Sequence, residues 1–200
     1  MYRYCFYIDG FNMYYALRRK YPQFKWLIYY QLAKSTLFAQ DKLEKVCYFS
    51  AYVKWKTSNY KRHQDYVKAL RWAGVEFIPG RFKNKDIRCH LCKKSFTTHE
   101  EKQTDVNIAI RLLADAVEDR YDRAVIVSAD SDLTPAILAI RRLFPEKQVG
   151  VMFPIGSNCF DLRQEADFRL KMSQKRLQAS QFPDEITVGK TVIKRPDSWR

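Results

Sequence analysis

Short apolar runs alternate with stretches of helical spacing from residue 3 to residue 153, and this alternation constrains the chain more than any other feature. Residues 3–8 are apolar and aromatic and stop at Asp9-Gly10, which predicts a strand ending in a turn. Residues 12–20 then have helical character. A second strand is expected within residues 43–53, around Val46-Cys47-Tyr48-Phe49, followed by a helix over 59–73 ended by Gly74. A third strand over 75–78 is closed by Pro79-Gly80. Residues 101–118 form the clearest helical pattern, with Ala109, Leu112, Leu113 and Ala116 at the right spacing. Strands over 124–127 and 149–153 flank a helix over 135–143. Strands separated by helices run parallel, because a parallel pair needs a long crossover and such crossovers are right-handed. The expected fold is therefore α/β, a doubly wound parallel sheet in order about 3-2-1-4-5 with helices on its faces. Residues 81–99, rich in Lys and Arg, are too long for a plain connection and should leave the core as a basic excursion. Residues 171–200, with Pro183, Gly189, Pro196 and little periodicity, read as an extended or loosely packed tail after a domain of residues 1–170.

An apolar share of 46% over 200 residues supplies a core without disulfides and excludes a disordered chain. Charge is the unusual quantity. Lys and Arg number 36 against 22 Asp and Glu, a formal charge of +14 and a pI near 9.6. Residues 1–53 hold 8 basic and 3 acidic side chains, residues 54–94 hold 12 and 3, and residues 95–200 balance at 16 each. The excess in the first half suits a polyanion: nucleic acid, an anionic membrane surface or an acidic protein. No apolar window of about 18 residues offers a membrane span. Arg3 and Asp9 interrupt the first apolar run, unlike a secretion signal, so the expectation is a cytoplasmic protein without a membrane partner.

In open α/β sheets, ligands bind beyond the carboxyl ends of the strands, where the winding reverses. If the order is 3-2-1-4-5, the first and fourth strands are neighbours at that reversal. Asp9 follows the first, and Asp130 and Asp132 follow the fourth, so these three then share one crevice. Asp105, in the first turn of the long helix, lies on one stripe with Ala109, Leu112 and Ala116. Four carboxylates gathered together repel, and some take up protons unless cations neutralise them. Hard divalent cations with oxygen ligands, Mg²⁺ or Mn²⁺, meet that need. Such a site polarises a phosphodiester and generates hydroxide from bound water without a nucleophilic side chain. Each acid also has an ordinary alternative. Asp9-Gly10 is a common turn, Asp132 and Asn12 fit as helix caps, and Asp105 complements a helix dipole.

Three segments together carry a resemblance. Ile8-Asp9-Gly10-Phe11-Asn12, Glu101-Lys102-Gln103-Thr104-Asp105 and Val127-Ser128-Ala129-Asp130-Ser131-Asp132-Leu133 resemble the motif set of the NYN domain, in the LabA-like branch of the PIN-like nuclease superfamily. The likeness covers about residues 2–168. It implies a PIN-like Rossmannoid sheet and a Mg²⁺/Mn²⁺-dependent endoribonuclease, cleaving RNA phosphodiester bonds through a metal-activated water. It further implies Asp9, Asp105, Asp130 and Asp132 as metal ligands, Asn12 as an orienting group and Ser131 beside the site. Asp167, in a segment resembling the family's closing one, is a further candidate. Gln103-Thr104 stands where Gly-Val is commoner, and Ala129 where Gly is frequent; neither departure removes a carboxylate. The alternative is a non-catalytic RNA-binding or adaptor module that keeps a metal-binding acidic crevice. A small-molecule phosphohydrolase ranks below both, because Asp9-Gly10-Phe11-Asn12 replaces its Asp-x-Asp-x-Thr nucleophile pattern.

Between residues 54 and 94, basic side chains are interleaved with Trp55, Tyr60, Tyr66, Trp72 and Phe82. Lys and Arg can follow a phosphate backbone while aromatics stack on unpaired bases, so single-stranded regions of RNA are the expected partner. Lys61, Arg62, Lys68, Arg81, Lys83, Lys85 and Arg88 are the candidate contacts. For each aromatic the plain alternative is a place in the core. Of five cysteines, Cys5 and Cys47 lie in apolar runs and read as small buried hydrophobes. Cys89-His90-Leu91-Cys92 is the one patterned pair. With His99 it offers Cys89, Cys92 and His99 as a Zn²⁺-pinned loop completed by another group; the alternative is a reduced pair in a basic hairpin.

Overall fold

The computed structural model describes residues 1–199. Its centre is β1 (Arg3–Asp9), paired in parallel with β2 (Lys42–Ser50) on one side and β6 (Arg123–Val127) on the other. β3 (Glu76–Pro79) extends the sheet beyond β2, and β7 (Gln148–Val151) and β8 (Phe168–Arg169) extend it beyond β6. The order β3-β2-β1-β6-β7-β8 is the expected 3-2-1-4-5 with one edge strand added. That added strand is two residues long and has no period to detect.

Alternation along the strands builds two cores. Tyr4, Phe6 and Ile8 of β1, with Val125 and Val127 of β6, face α1 (Gly10–Lys20), α2 (Tyr29–Lys34) and α3 (Thr57–Trp72). Cys5, Tyr7, Ala124 and Ile126 face α4 (Thr104–Val117), α5 (Thr134–Leu143) and α6 (Phe160–Glu165). Cys5 and Cys47 are fully buried there, and burial pushes the Cys5 thiol up to about 12, which leaves it inert.

The basic excursion is an antiparallel hairpin of β4 (Arg81–Arg88) and β5 (Ser95–Lys102), laddered from Arg81 opposite Lys102 to Arg88 opposite Ser95. The helix expected from residue 101 therefore begins later, since residues 101–102 finish β5. Gln103 makes the break by adopting a left-handed backbone with φ of 81°. Glycine takes that conformation without steric penalty, which explains its frequency at the corresponding position of the resembling motif.

Residues 171–199 are not a loose tail. α7 (Gln174–Ala179) and the hairpin of β9 (Glu185–Val188) and β10 (Thr191–Lys194) cover the α1–α3 core, burying Leu177, Phe182, Ile186, Ile193 and Trp199. The segment is pinned by Ile28 N–H to the Ser180 carbonyl at 2.7 Å, and by the Trp26 indole to the Pro183 carbonyl at 2.9 Å. Its helix is six residues long and its strands four each, too short for the apolar side chains to form a stripe. Among the described residues, no helix is long and apolar enough to cross a membrane.

Candidate functional site

β1 and β6 end side by side, with Ile8 level with Val127. Asp9 is buried at the junction and caps α1. One of its oxygens accepts the Phe11 and Asn12 amides, each at 3.0 Å; the other accepts Asn12 Nδ2 at 2.7 Å and Ser128 Oγ at 2.9 Å. A helix N-terminus suits a carboxylate both as hydrogen-bond acceptor and as negative charge. Gly10 follows because no side chain fits: a Cβ there would stand 2.6 Å from the Tyr48 ring and 2.7 Å from the Phe49 carbonyl.

Asn12 is not the cap. Its side chain spans the two strand ends, donating to Asp9 and accepting the Ala129 amide at 3.3 Å. Ser128 Oγ accepts the Asp130 amide at 3.1 Å, and Asp130 Oδ1 accepts the Asp132 amide at 3.1 Å. Asp130 thus caps the short turn Ser131–Leu133, and Asp132 is left exposed rather than serving as a cap.

Asp105, half-buried in the first turn of α4, completes the cluster. Burial pushes its carboxyl up to about 6, and the charges of Asp130, Asp9, Glu101 and Asp132 push in the same direction. Burial raises Asp9 as well, against the hydrogen bonds from Asn12 and Ser128 that favour its charged form. The four expected carboxylates are therefore brought within electrostatic reach of one another. Glu101 is a fifth that the sequence reading passed over as a site residue. It ends β5, accepts the Thr104 hydroxyl, and is itself raised by burial and by Asp9. The available signal was its place in the same motif segment as Asp105.

All donors in this set are hard oxygens, the chemistry that Mg²⁺ or Mn²⁺ takes. Among the described residues, no three His, Cys, Asp or Glu side chains converge closely enough to hold an ion as they stand. Asp9 in particular has four protein donors on its two oxygens, which fills its acceptor sites. The set fits a divalent cation in chemistry and charge, and ligation requires the half-buried Asp105 and Asp130 and the exposed Asp132 to draw closer together. Asp167 lies elsewhere: it accepts the Val149 amide at 2.7 Å, at the entry end of β7, and stands 3.8 Å from Arg141.

The proposed zinc ligands are not together. Cys89 and Cys92 lie at the hairpin tip, whereas His99 is opposite Asn84. Four rungs from the tip-closing pair Arg88–Ser95 amount to about 13 Å. His99 instead bonds Asn84 Oδ1 at 2.9 Å and stacks on Trp55 with ring centroids 3.6 Å apart. Sequence spacing brought it close to the pair; an antiparallel ladder carries it away.

The seven basic candidates are dispersed. Arg81, Lys83 and Lys85 alternate with Phe82, so they occupy the hairpin face opposite the one that carries Phe82 and His99. Lys85 stands 3.5 Å from Glu100, and Arg88 bonds the Lys93 carbonyl at 3.2 Å. Lys61 is exposed on α3, Lys68 stands 3.7 Å from Asp65, and Arg62 lines an aromatic cavity beside the crevice. Of the interleaved aromatics, Tyr66 is core, Trp72 is exposed, and Trp55 and Phe82 line that same cavity.

A curated relative, 6-hydroxy-3-succinoylpyridine 3-monooxygenase HspA of Pseudomonas putida, is 28% identical over a 233-residue alignment that covers 96% of this chain and 74% of the relative. A crystal structure of a Vibrio parahaemolyticus protein of unknown function matches with a TM-score of 0.57 at 20% identity, covering 86% of this chain and 94% of that one, a likeness of fold. Residues 3–170 match the NYN domain, a nuclease-like family of the PIN superfamily. That span holds the whole parallel sheet, the strand ends with Asp9 and Asp130, and α4 with Asp105, and the chain belongs to the NYN domain family.

Proposed function

We propose that this chain is a Mg²⁺- or Mn²⁺-dependent endoribonuclease that cleaves RNA phosphodiester bonds in the cytoplasm. The carrying observation is the gathering of Asp9, Glu101, Asp105, Asp130 and Asp132 at the ends of β1 and β6, with no ion pair to any of them among the described residues. Asp105, Asp130 and Asp132 would hold the ion, with Asp9 joining by exchange of the Ser128 or Asn12 donor. The chemistry a bound Mg²⁺ or Mn²⁺ supplies is polarisation of the phosphodiester and acidification of a water. Asn12, fixed between Asp9 and the Ala129 amide, holds the two strand ends in register beneath the substrate. Arg81, Lys83 and Lys85 offer the phosphate backbone an approach along the hairpin.

The test is purified protein on single-stranded RNA and single-stranded DNA, with Mn²⁺, with Mg²⁺ and in EDTA. RNA cleavage is expected with metal and not in EDTA, and it should be lost in an Asp130→Asn/Asp132→Asn variant. Equal cleavage by that variant would sink the assignment. The second reading is an RNA-binding module without catalysis, and the saturated hydrogen bonding of Asp9 favours it. Tight binding without metal-dependent cleavage would select it. In either case RNA binding should weaken steeply with salt, because phosphate contacts release counterions. A parallel incubation with 6-hydroxy-3-succinoylpyridine tests whether the activity named for the Pseudomonas putida relative is shared.

A further inference from the structure

Beside the acidic crevice, on the far side of Gly10, lies a cavity of about 320 Å³. The start of α1, the end of β2, α3, the root of the β4–β5 hairpin and Trp199 enclose it. Its charge is the reverse of the crevice. Arg18, Lys25, Lys56 and Arg62 line it, and among the described residues no acidic side chain does. None of the four makes an ion pair with a carboxylate among the described residues. Lys25 and Arg62 are held by neutral groups instead: Lys25 Nζ donates to the Ser198 carbonyl at 2.9 Å, and Arg62 donates to Asn59 Oδ1 at 2.9 Å and Ser198 Oγ at 3.2 Å. Both also stand over the Trp199 ring, at 5.7 and 5.6 Å. Burial, then the charges of Arg62 and Arg18, lower the Lys25 pKa, so the cations repel one another.

The rest of the wall is aromatic. Trp55, 41% exposed, stacks on His99 and meets Phe82 edge-on at 4.7 Å. Phe82 in turn meets Phe11 edge-on at 5.6 Å, and Phe11 stacks on Tyr15 at 6.3 Å. Aromatic faces stack on planar heterocycles, and Arg and Lys hold phosphate. The volume is at the lower end of the range for small-molecule sites, which suits one mononucleotide and excludes a base pair.

We propose that this cavity is a mononucleotide subsite, taking a flat nucleobase against Trp55 and Phe82 and its phosphate on Arg18, Lys25 and Arg62. The nucleotide is either free or one unit of a single strand. Gly10 is shared between cavity and crevice, so the next phosphate of a strand seated here lies toward Asp9. Only that continuation rests on the nuclease reading; occupancy of the cavity does not.

Calorimetric titration in EDTA tests it, with adenosine 5′-monophosphate and with a short single-stranded oligoadenylate. Saturable binding of the mononucleotide is expected, weakened roughly tenfold in Trp55→Ala by loss of one stacking face. Arg18→Gln should weaken it similarly, and Lys190→Gln, which removes a cation from the exposed β9–β10 turn, should leave it unchanged. Arg18 and Trp55 lie at the surface, so both variants retain the fold. Ribose 5-phosphate and adenosine, each carrying half the recognised chemistry, should bind more weakly. Absence of saturable binding, equal binding by parent and both variants, or either half binding as tightly as the whole would overturn the subsite. Oligoadenylate binding with the same dependence on Trp55 assigns the cavity to an RNA unit; binding of the free nucleotide alone assigns it to a mononucleotide ligand. Metal-dependent RNA cleavage without mononucleotide binding removes the subsite and leaves the nuclease, and the converse result does the opposite.

Discussion

Asp105 and Asp115 occupy the first and last turns of the same helix, about 15 Å apart along its axis, and their surroundings are opposite. Asp115 is buried and met from three sides. The Tyr7 hydroxyl donates to it at 2.8 Å, the Lys45 ammonium at 2.9 Å and the Arg111 guanidinium at 3.2 Å, while Arg111 also holds Glu76 at 2.8 Å. Asp105 is instead acted on by other carboxylates, Asp130, Asp9, Glu101 and Asp132, and makes no ion pair among the described residues. One end of α4 neutralises its buried charge within the chain. The other end leaves like charges together, an arrangement that persists in folded proteins where a ligand completes it. The cation-lined cavity beside the crevice repeats the pattern with the sign reversed.

The contrast can be broken at either end of the helix. The largest effect is expected where the charge is already answered. Replacing Lys45 and Arg111 together with Met strands the Asp115 carboxylate in the core, and urea unfolding should show a loss of about 3–5 kcal/mol. A loss near zero would mean that Asp115 takes up a proton or reaches water, and the distinction between the two ends would collapse.

At the crevice the sign is opposite, because removing a carboxylate relieves repulsion. Asp105→Asn in EDTA at pH 7 should stabilise the protein by up to about 1 kcal/mol, a figure discounted for the solvent screening of a half-exposed group. The folded-state pKa is raised from 3.8 to about 6, so the parent carries the full cost above pH 6 and sheds it as pH falls through that window. Thermal unfolding of the two proteins should therefore differ most at neutral pH and coincide below about pH 3.8. Added Mn²⁺ should raise the melting temperature of the parent more than that of the variant.

The smallest effect concerns how α4 is launched. Gln103→Gly removes a left-handed penalty of about 1–2 kcal/mol and adds unfolded-state entropy, for a net gain of about 0.5 kcal/mol. Denaturant midpoints with an unchanged slope would confirm it. A destabilised variant would show that the Gln103 side chain contributes more than its backbone costs.

Much of the crevice was legible because its residues sit at element ends. Asp9 closes an apolar run, Asp130 and Asp132 close another, and a parallel order makes those ends neighbours. Asp115 was not legible. It falls on the buried stripe, three positions after Leu112, but nothing local shows what answers its charge: its partner Lys45 is seventy positions away. The same limit hid the cavity, whose cations Arg18, Lys25, Lys56 and Arg62 come from separate stretches of chain, and misjudged residues 171–199, whose apolar side chains find Trp26 and Tyr66 without any local period. His99 shows the reverse error: seven positions from Cys92, it ends beside Trp55 because a ladder separates what a turn brings near.

By itself, then, the sequence determined the alternation of strands and helices and the carboxylates that close two of the strands. Both follow from local period, which acts over neighbouring residues. Which charges found partners was decided only in the folded chain. Pairing depends on distances of a few ångströms between side chains remote in sequence, and the strength of each pair on how much water the surrounding core excludes.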